Sequence, residues 1–305
     1  MPLLTLENSQ SQAEVALELG CEPRSFNENS GINLFFKTPW AQFAKKECDC
    51  KENDEQHFIK HYHGGMQLMF PNAGYASTFH GIEFGYHGES WQRPWTLIKK
   101  TASEIIAKLK IPIINAEIIR QIEIADKTLK ISDQFTNLGT EDLTCQIGYH
   151  PAFSAEFLND HQVVIHAKVI EILNNTESEL PYEIAENTNT ITFKNIFDKA
   201  HSFLAIVSDF QANFIEIIDK KNQRVAKITF DNEHLKHAWV WIEVNKINSE
   251  PWNSQTKTFA FEPCTSKTNQ GLTDAFVRNL GHLTLAPKES VKTFINFDLN
   301  KGGVN

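Results

Sequence analysis

The chain has 305 residues, 41% hydrophobic and 22% charged, and 29 basic against 38 acidic side chains leave a formal net charge of −9. A chain of this length buries roughly 75% of its unfolded surface without needing metal or disulfide staples. Its negative field disfavours nucleic acid and anionic membrane as main partners. No run approaches the roughly 18 apolar residues of a membrane-spanning helix, and the N-terminus lacks the pattern of an export signal. Five scattered cysteines (Cys21, Cys48, Cys50, Cys145 and Cys264) fit reduced thiols better than a disulfide framework. These features predict a soluble, cytoplasmic protein.

In chain order, residues 11–19 allow about two helical turns, and so do residues 40–46. Strands are predicted at 33–37, 67–70, 96–99, 117–124 and 129–135, the last ending at the turn-like Thr136-Asn137-Leu138-Gly139. The polar stretch 47–57 reads as an exposed loop. Strands at 163–169 and 203–208 follow, and 214–218 and 225–230 flank a short polar loop. Further strands are predicted at 238–244, 259–261 and 291–299, where Thr293, Ile295, Phe297 and Leu299 share one face. The clearest helix is 272–280, with Thr273 as its cap. More than ten strands and few helices argue for an all-β protein. We expect one domain over residues 1–305, with the first 25 or so residues peripheral.

Three clusters carry candidate chemistry. His150, in Gly148-Tyr149-His150-Pro151-Ala152-Phe153, precedes a proline that holds its backbone extended. It reads as a proton donor near neutrality or as a satisfied strand-end histidine. Glu262, in Phe261-Glu262-Pro263-Cys264-Thr265, has the same design and reads as an exposed strand terminus or a carboxylate aimed into a cleft. In the third cluster, His87-Gly88-Glu89-Ser90-Trp91 and Arg93-Pro94-Trp95 set polar groups beside two indoles. Trp239, Trp241 and Glu243 share a strand face that could line a ligand groove or cap the core, and the core reading is preferred. Cys48, Cys50, His57, His61 and His63 lack zinc-site spacing, so no metal is expected. Phosphate-loop and nucleophile-elbow motifs are absent from the sequence.

Taken in order, Met69-Phe70-Pro71-Asn72, His87-Gly88-Glu89-Ser90-Trp91 with Pro94-Trp95, Thr136–Gly139, the His150 motif and the Glu262 motif resemble the aldose 1-epimerase (mutarotase) family of the galactose mutarotase-like superfamily. The resemblance spans about residues 30–299. It implies a large antiparallel β-supersandwich with an open sugar groove and no metal or organic cofactor. Glu262 would take the proton of the C1 hydroxyl and His150 would protonate the ring oxygen, opening the ring to exchange the α and β anomers. His87, Asn72, Arg93, Trp91 and Glu89 would bind the substrate, a free or phosphorylated aldose, and His87 fits the family role better than His80. Ala73 stands where many members carry Arg, and Lys288 stands where Gly is usual in the last strand turn. Two other functions compete on this fold. One is a non-catalytic carbohydrate-binding protein. The other is a glycan hydrolase or lyase, which wants a second acid, Glu89 or Glu243.

Overall fold

The computed structural model describes residues 3–29, 31–40, 55–219, 223–300 and 302–303. The alternating patterns assemble one 15-stranded sheet. Along its main path the strands run Met66–Met69, Gly148–Ser154, Lys257–Cys264, His237–Val244, His201–Asp219, Gln223–Phe230, Ser290–Asp298, Thr128–Asn137, Ala116–Ala125, Glu104–Ile111 and Thr96–Lys100. Neighbouring strands along that path pair antiparallel.

The sheet folds back on itself. Phe70 meets Phe135 at 5.0 Å between ring centroids, Phe153 meets Phe297 at 6.4 Å, and the Tyr149 and Thr293 hydroxyls lie 2.7 Å apart. The two ends of the sheet thus share one apolar core, which runs from Leu6 to Leu299. Alternation then decides where the chemistry goes. On Gly148–Ser154, Tyr149 and Phe153 enter this core, which sends His150 to the opposite face. Gly148 is required by close packing: a Cβ there would lie 2.5 Å from Met69 Cε and 2.9 Å from Cys264 Cβ.

Several sequence expectations change. Residues 11–19 form no helix: Ser11–Ala16 is the middle strand of a three-stranded sheet with Leu4–Glu7 and Glu22–Glu28. Ala13 and Val15 alternate with polar neighbours, and a period of two outranked the helical spacing. These strands are also not peripheral, because Leu6, Ala13, Val15 and Phe26 are fully buried in the main core. Residues 33–37 make only single bridges, Phe35 to Phe153 and Lys37 to Gly64. The predicted strands 203–208 and 214–218 are one strand, His201–Asp219, interrupted where Asp209 takes a φ of 58°. The helix expected at 40–46 lies, beyond Trp40, outside the described residues, as do positions 47–54 of the polar stretch. Its last residues open a helix, Glu55–His61. The predicted late helix forms as Gly271–Val277, but Thr273 does not cap it: its hydroxyl donates to the Thr78 carbonyl at 2.6 Å. Among the described residues no helix is long and apolar enough to cross a membrane.

Candidate active site

Two sequence motifs separated by more than a hundred residues meet on adjacent strands. Gly148–Ser154 and Lys257–Cys264 pair so that His150 Nε2 lies 3.4 Å from Glu262 Oε1. Both residues are almost fully buried, at 4% and 2% exposure. They stand in a cavity of about 530 Å³, whose lining includes Phe58, Tyr62, Tyr86, His87, Trp239, Trp241, Trp252 and Gln270. Aromatic rings crowd the imidazole: Tyr62 at 5.5 Å, Trp241 at 6.0 Å and Phe58 at 6.3 Å between centroids. A shallower cavity of about 370 Å³ is lined instead by surface ion pairs, Lys194–Glu183 and Lys199–Glu179.

Burial governs the electrostatics of the pair. It pushes the Glu262 carboxyl well above the usual range and the His150 imidazole down to about 4. Burial thus moves both groups away from the ionised Glu and neutral-range His that reference values give. Both shifts favour the uncharged forms, a protonated Glu262 and a neutral imidazole.

His87 completes the site from a tight turn. It adopts a φ of 59°, and its Nδ1 accepts a hydrogen bond from the Gly74 N–H at 3.1 Å. An Nδ1 that accepts must leave the proton on Nε2, so His87 presents a donor. Burial, and next His150, hold its pKa well below the usual value. The two imidazoles are 5.4 Å apart between centroids, and Phe58 packs edge-on against His87 at 4.8 Å. The turn is fixed by Gly88, whose φ is 75° and where a Cβ would lie 2.5 Å from the Phe70 carbonyl oxygen. That same carbonyl accepts from the Glu89 and Ser90 N–H groups.

This architecture recurs in solved structures. A galactose mutarotase related enzyme from Lactobacillus acidophilus superposes with a TM-score of 0.67 at 14% identity, covering 99% of this chain and 98% of that one. A galactose mutarotase-like protein from Lactobacillus casei gives 0.65 at 15%, covering 98% and 100%. Another from Clostridium acetobutylicum gives 0.66 at 17%, covering 98% and 95%. The chain has the galactose mutarotase-like fold. No family model matches the sequence, and no curated protein does.

Within the mutarotase-like fold, the residues expected at the site divide into two groups. His150, Glu262 and His87 come together in the cavity. Asn72, Glu89, Trp91 and Arg93 are not among the residues that line it. The Asn72 amide is committed to the scaffold: Nδ2 donates to the Tyr75 and Gly85 carbonyls, and Oδ1 accepts from Ser77 Oγ and the Leu272 N–H. Glu89 pairs with Arg93 one helical-type turn away, and Trp91 Nε1 donates to the Tyr86 carbonyl while its ring supports Phe58 at 5.1 Å. His80 is remote from the cavity, packed on Phe79 at 4.2 Å. Glu243 is fully buried and accepts from the Lys246 and Ile247 N–H groups, so it shapes the loop that brings Ile247 to the cavity.

The sequence reading missed other lining residues. Trp239 and Trp241 were expected in the core, yet both line the cavity, Trp239 donating through Nε1 to the Ser266 carbonyl at 3.1 Å. Phe58 and Tyr62 arrive on the Glu55–His61 helix and its end, which carries no apolar periodicity to reveal it. Trp40 Nε1 and Thr38 Oγ1 tie that segment down through the Ile59 and Tyr62 carbonyls. Among the described residues no three His, Cys, Asp or Glu form a metal-binding group, and Cys48 and Cys50 lie outside those residues.

Proposed function

We propose that the protein is an aldose 1-epimerase-like enzyme that interconverts the α and β anomers of an aldose. The observation that carries this reading is the His150–Glu262 pair, 3.4 Å apart in an aromatic cavity. Such a pair, holding one transferable proton between an acid and a base, is what anomer exchange requires.

At rest Glu262 carries the proton. Transfer to His150 Nε2 gives a carboxylate and an imidazolium, a close ion pair stabilised by mutual attraction in a cavity of low dielectric. Glu262 then accepts the C1 hydroxyl proton as His150 gives its proton to the ring oxygen. The C1–O5 bond breaks, C1 becomes an aldehyde and O5 a hydroxyl. Rotation about C1–C2 presents the other face of the aldehyde. Reclosure returns each proton and releases the other anomer, so atoms and charge balance without a cofactor. The His87 Nε2–H donates to an oxygen near the reacting centre, and the Trp239 and Trp241 rings pack against the C–H faces of the sugar.

The charge of the lining favours a neutral sugar over a sugar phosphate. No Lys or Arg is among the described residues lining the cavity, and Arg93 is turned to Glu89. Asn72, Glu89, Trp91 and Arg93 serve the reaction as scaffold for the His87 turn and for Phe58. A cytoplasmic location fits the buried free thiols of Cys21, Cys145 and Cys264. Two-dimensional exchange NMR over a panel of aldoses and sugar phosphates tests the proposal. Catalysed cross-peaks for a neutral aldose above a buffer blank are expected. Sugar binding with no rate above the blank would instead establish a carbohydrate-binding protein.

A further inference from the structure

His150 uses only one of its ring nitrogens on Glu262. The other, Nδ1, is buried and has no hydrogen-bond partner in the protein. When the pair shares one transferable proton, as the proposed reaction requires, Nδ1 carries a hydrogen wherever that proton sits. A neutral imidazole that accepts from the Glu262 hydroxyl at Nε2 is protonated on Nδ1, and an imidazolium is protonated on both nitrogens. An acceptor for Nδ1 is therefore needed at every step, and a buried donor left without one costs stability.

The sheet supplies a candidate directly beside it. Gln67 on the strand Met66–Met69 is the registered partner of His150 across the antiparallel ladder. Opposite residues in such a ladder place their Cβ atoms roughly 4.5–5.5 Å apart on the same face. Gln67 is 1% exposed, and neither Oε1 nor Nε2 has a partner. A buried glutamine with both amide atoms unspent is uncommon in a folded protein. Gln67 is not among the residues that line the cavity.

Resting on the acid/base reading of the His150–Glu262 pair, we propose that Gln67 is the positioning residue for His150: its amide oxygen accepts from Nδ1–H, directly or through one internal water, and so holds the tautomer that keeps Nε2 directed at Glu262. Gln67 acts through the imidazole and does not touch substrate. The arrangement resembles the way the Gly74 N–H fixes the opposite tautomer of His87. Two neighbouring histidines would then be locked in complementary states, one presenting a donor and the other a proton-accepting Nε2. The competing partner for Nδ1 is the Tyr62 hydroxyl, which is also buried without a partner, on a ring 5.5 Å from the imidazole.

Nitrogen-15 NMR of histidine-labelled protein, with His150 assigned by its loss in His150→Asn, reads the tautomer without any sugar. The parent should show the Nδ1–H form near pH 7. Gln67→Met keeps length but removes the acceptor, and should shift His150 toward the Nε2–H form. Its kcat for anomer exchange should fall about tenfold, the order expected for one lost hydrogen bond, with KM unchanged. Tyr62→Phe should leave the tautomer as it is. A parent-like His150 in Gln67→Met would overturn the proposal, as would a shift in Tyr62→Phe alone. Should Gln67→Met fail to fold, Gln67→Glu retains an acceptor and adds charge. It should raise the His150 titration midpoint, and an unmoved midpoint would again overturn the proposal. Because the tautomer is read in the free protein, an absence of turnover on every sugar would count against the enzymatic reading and leave this test intact.

Discussion

Two buried pairs of opposite chemical character link neighbouring strands of the same sheet, and they are built differently. Arg120 and Asp133 face each other in register, with Nε–Oδ1 and the second guanidinium contact to Oδ2 both at 2.8 Å. Arg120 also donates to the Cys21 and Gly20 carbonyls, and its guanidinium lies 5.2 Å from the Trp95 ring. Its attraction to Asp133, together with their hydrogen bonds, overcomes burial and leaves its pKa raised. His150 and Glu262 make one contact at 3.4 Å, His150 Nδ1 has no partner, and burial drives both toward their neutral forms. A saturated pair has its hydrogen-bonding capacity spent on holding strands together. An unsaturated pair facing a cavity holds a proton it can give away.

Breaking the saturated pair should have the largest structural effect. Asp133→Asn leaves the guanidinium buried and uncompensated, and chemical denaturation should show a loss of about 3–5 kcal/mol with no specific change in any sugar's anomer preference. Asn72→Ala removes four hydrogen bonds from the scaffold of the His87 turn. Its loss should be about 2–3 kcal/mol, and near-ultraviolet circular dichroism should report altered packing of Tyr86 and Trp91. His87→Gln should weaken sugar binding by about tenfold, the order of one lost donor, whereas His80→Gln should leave it unchanged. Tryptophan fluorescence titration separates them, and equal losses would contradict the site.

Glu262→Gln should have the smallest stability effect and the opposite sign. The folded carboxyl is pushed up by burial, so the unfolded chain loses its proton first, near pH 4. The stability contributed by this group is present below that pH and is lost as pH rises toward the raised folded value. The variant should therefore melt on the order of a few °C above the parent at pH 8, with the gap closing by pH 4. A gap that widened toward acid would contradict the assignment.

The fold was legible wherever apolar residues alternate over several positions, as in Ala116–Ala125 and Ser290–Asp298. It was obscured where helical and strand periods overlap, as at Ser11–Ala16. It also failed where short elements carry no period, as in the Glu55–His61 helix. His150 and Glu262 stood out because each precedes a proline in a recognisable motif. Asn72 and Arg93 stand in equally recognisable motifs, but a motif preserves scaffold and site residues alike. Only the hydrogen bonds assign Asn72 to the scaffold. Trp239 and Trp241 look like core from alternation because a strand buried on both faces gives no sign of which side opens to a cavity.

The central claim is that Glu262 and His150 act as one proton-exchanging unit. Two-dimensional exchange NMR on an aldose turned over by the parent tests it through Glu262→Gln, which keeps the shape of the carboxyl but cannot accept the C1 hydroxyl proton. Binding should persist and the catalysed rate should fall by roughly 10²–10⁴-fold. His150→Asn should do the same, and the double variant should be little slower than either. Parent-like exchange in Glu262→Gln, or losses that multiply in the double variant, would contradict the account.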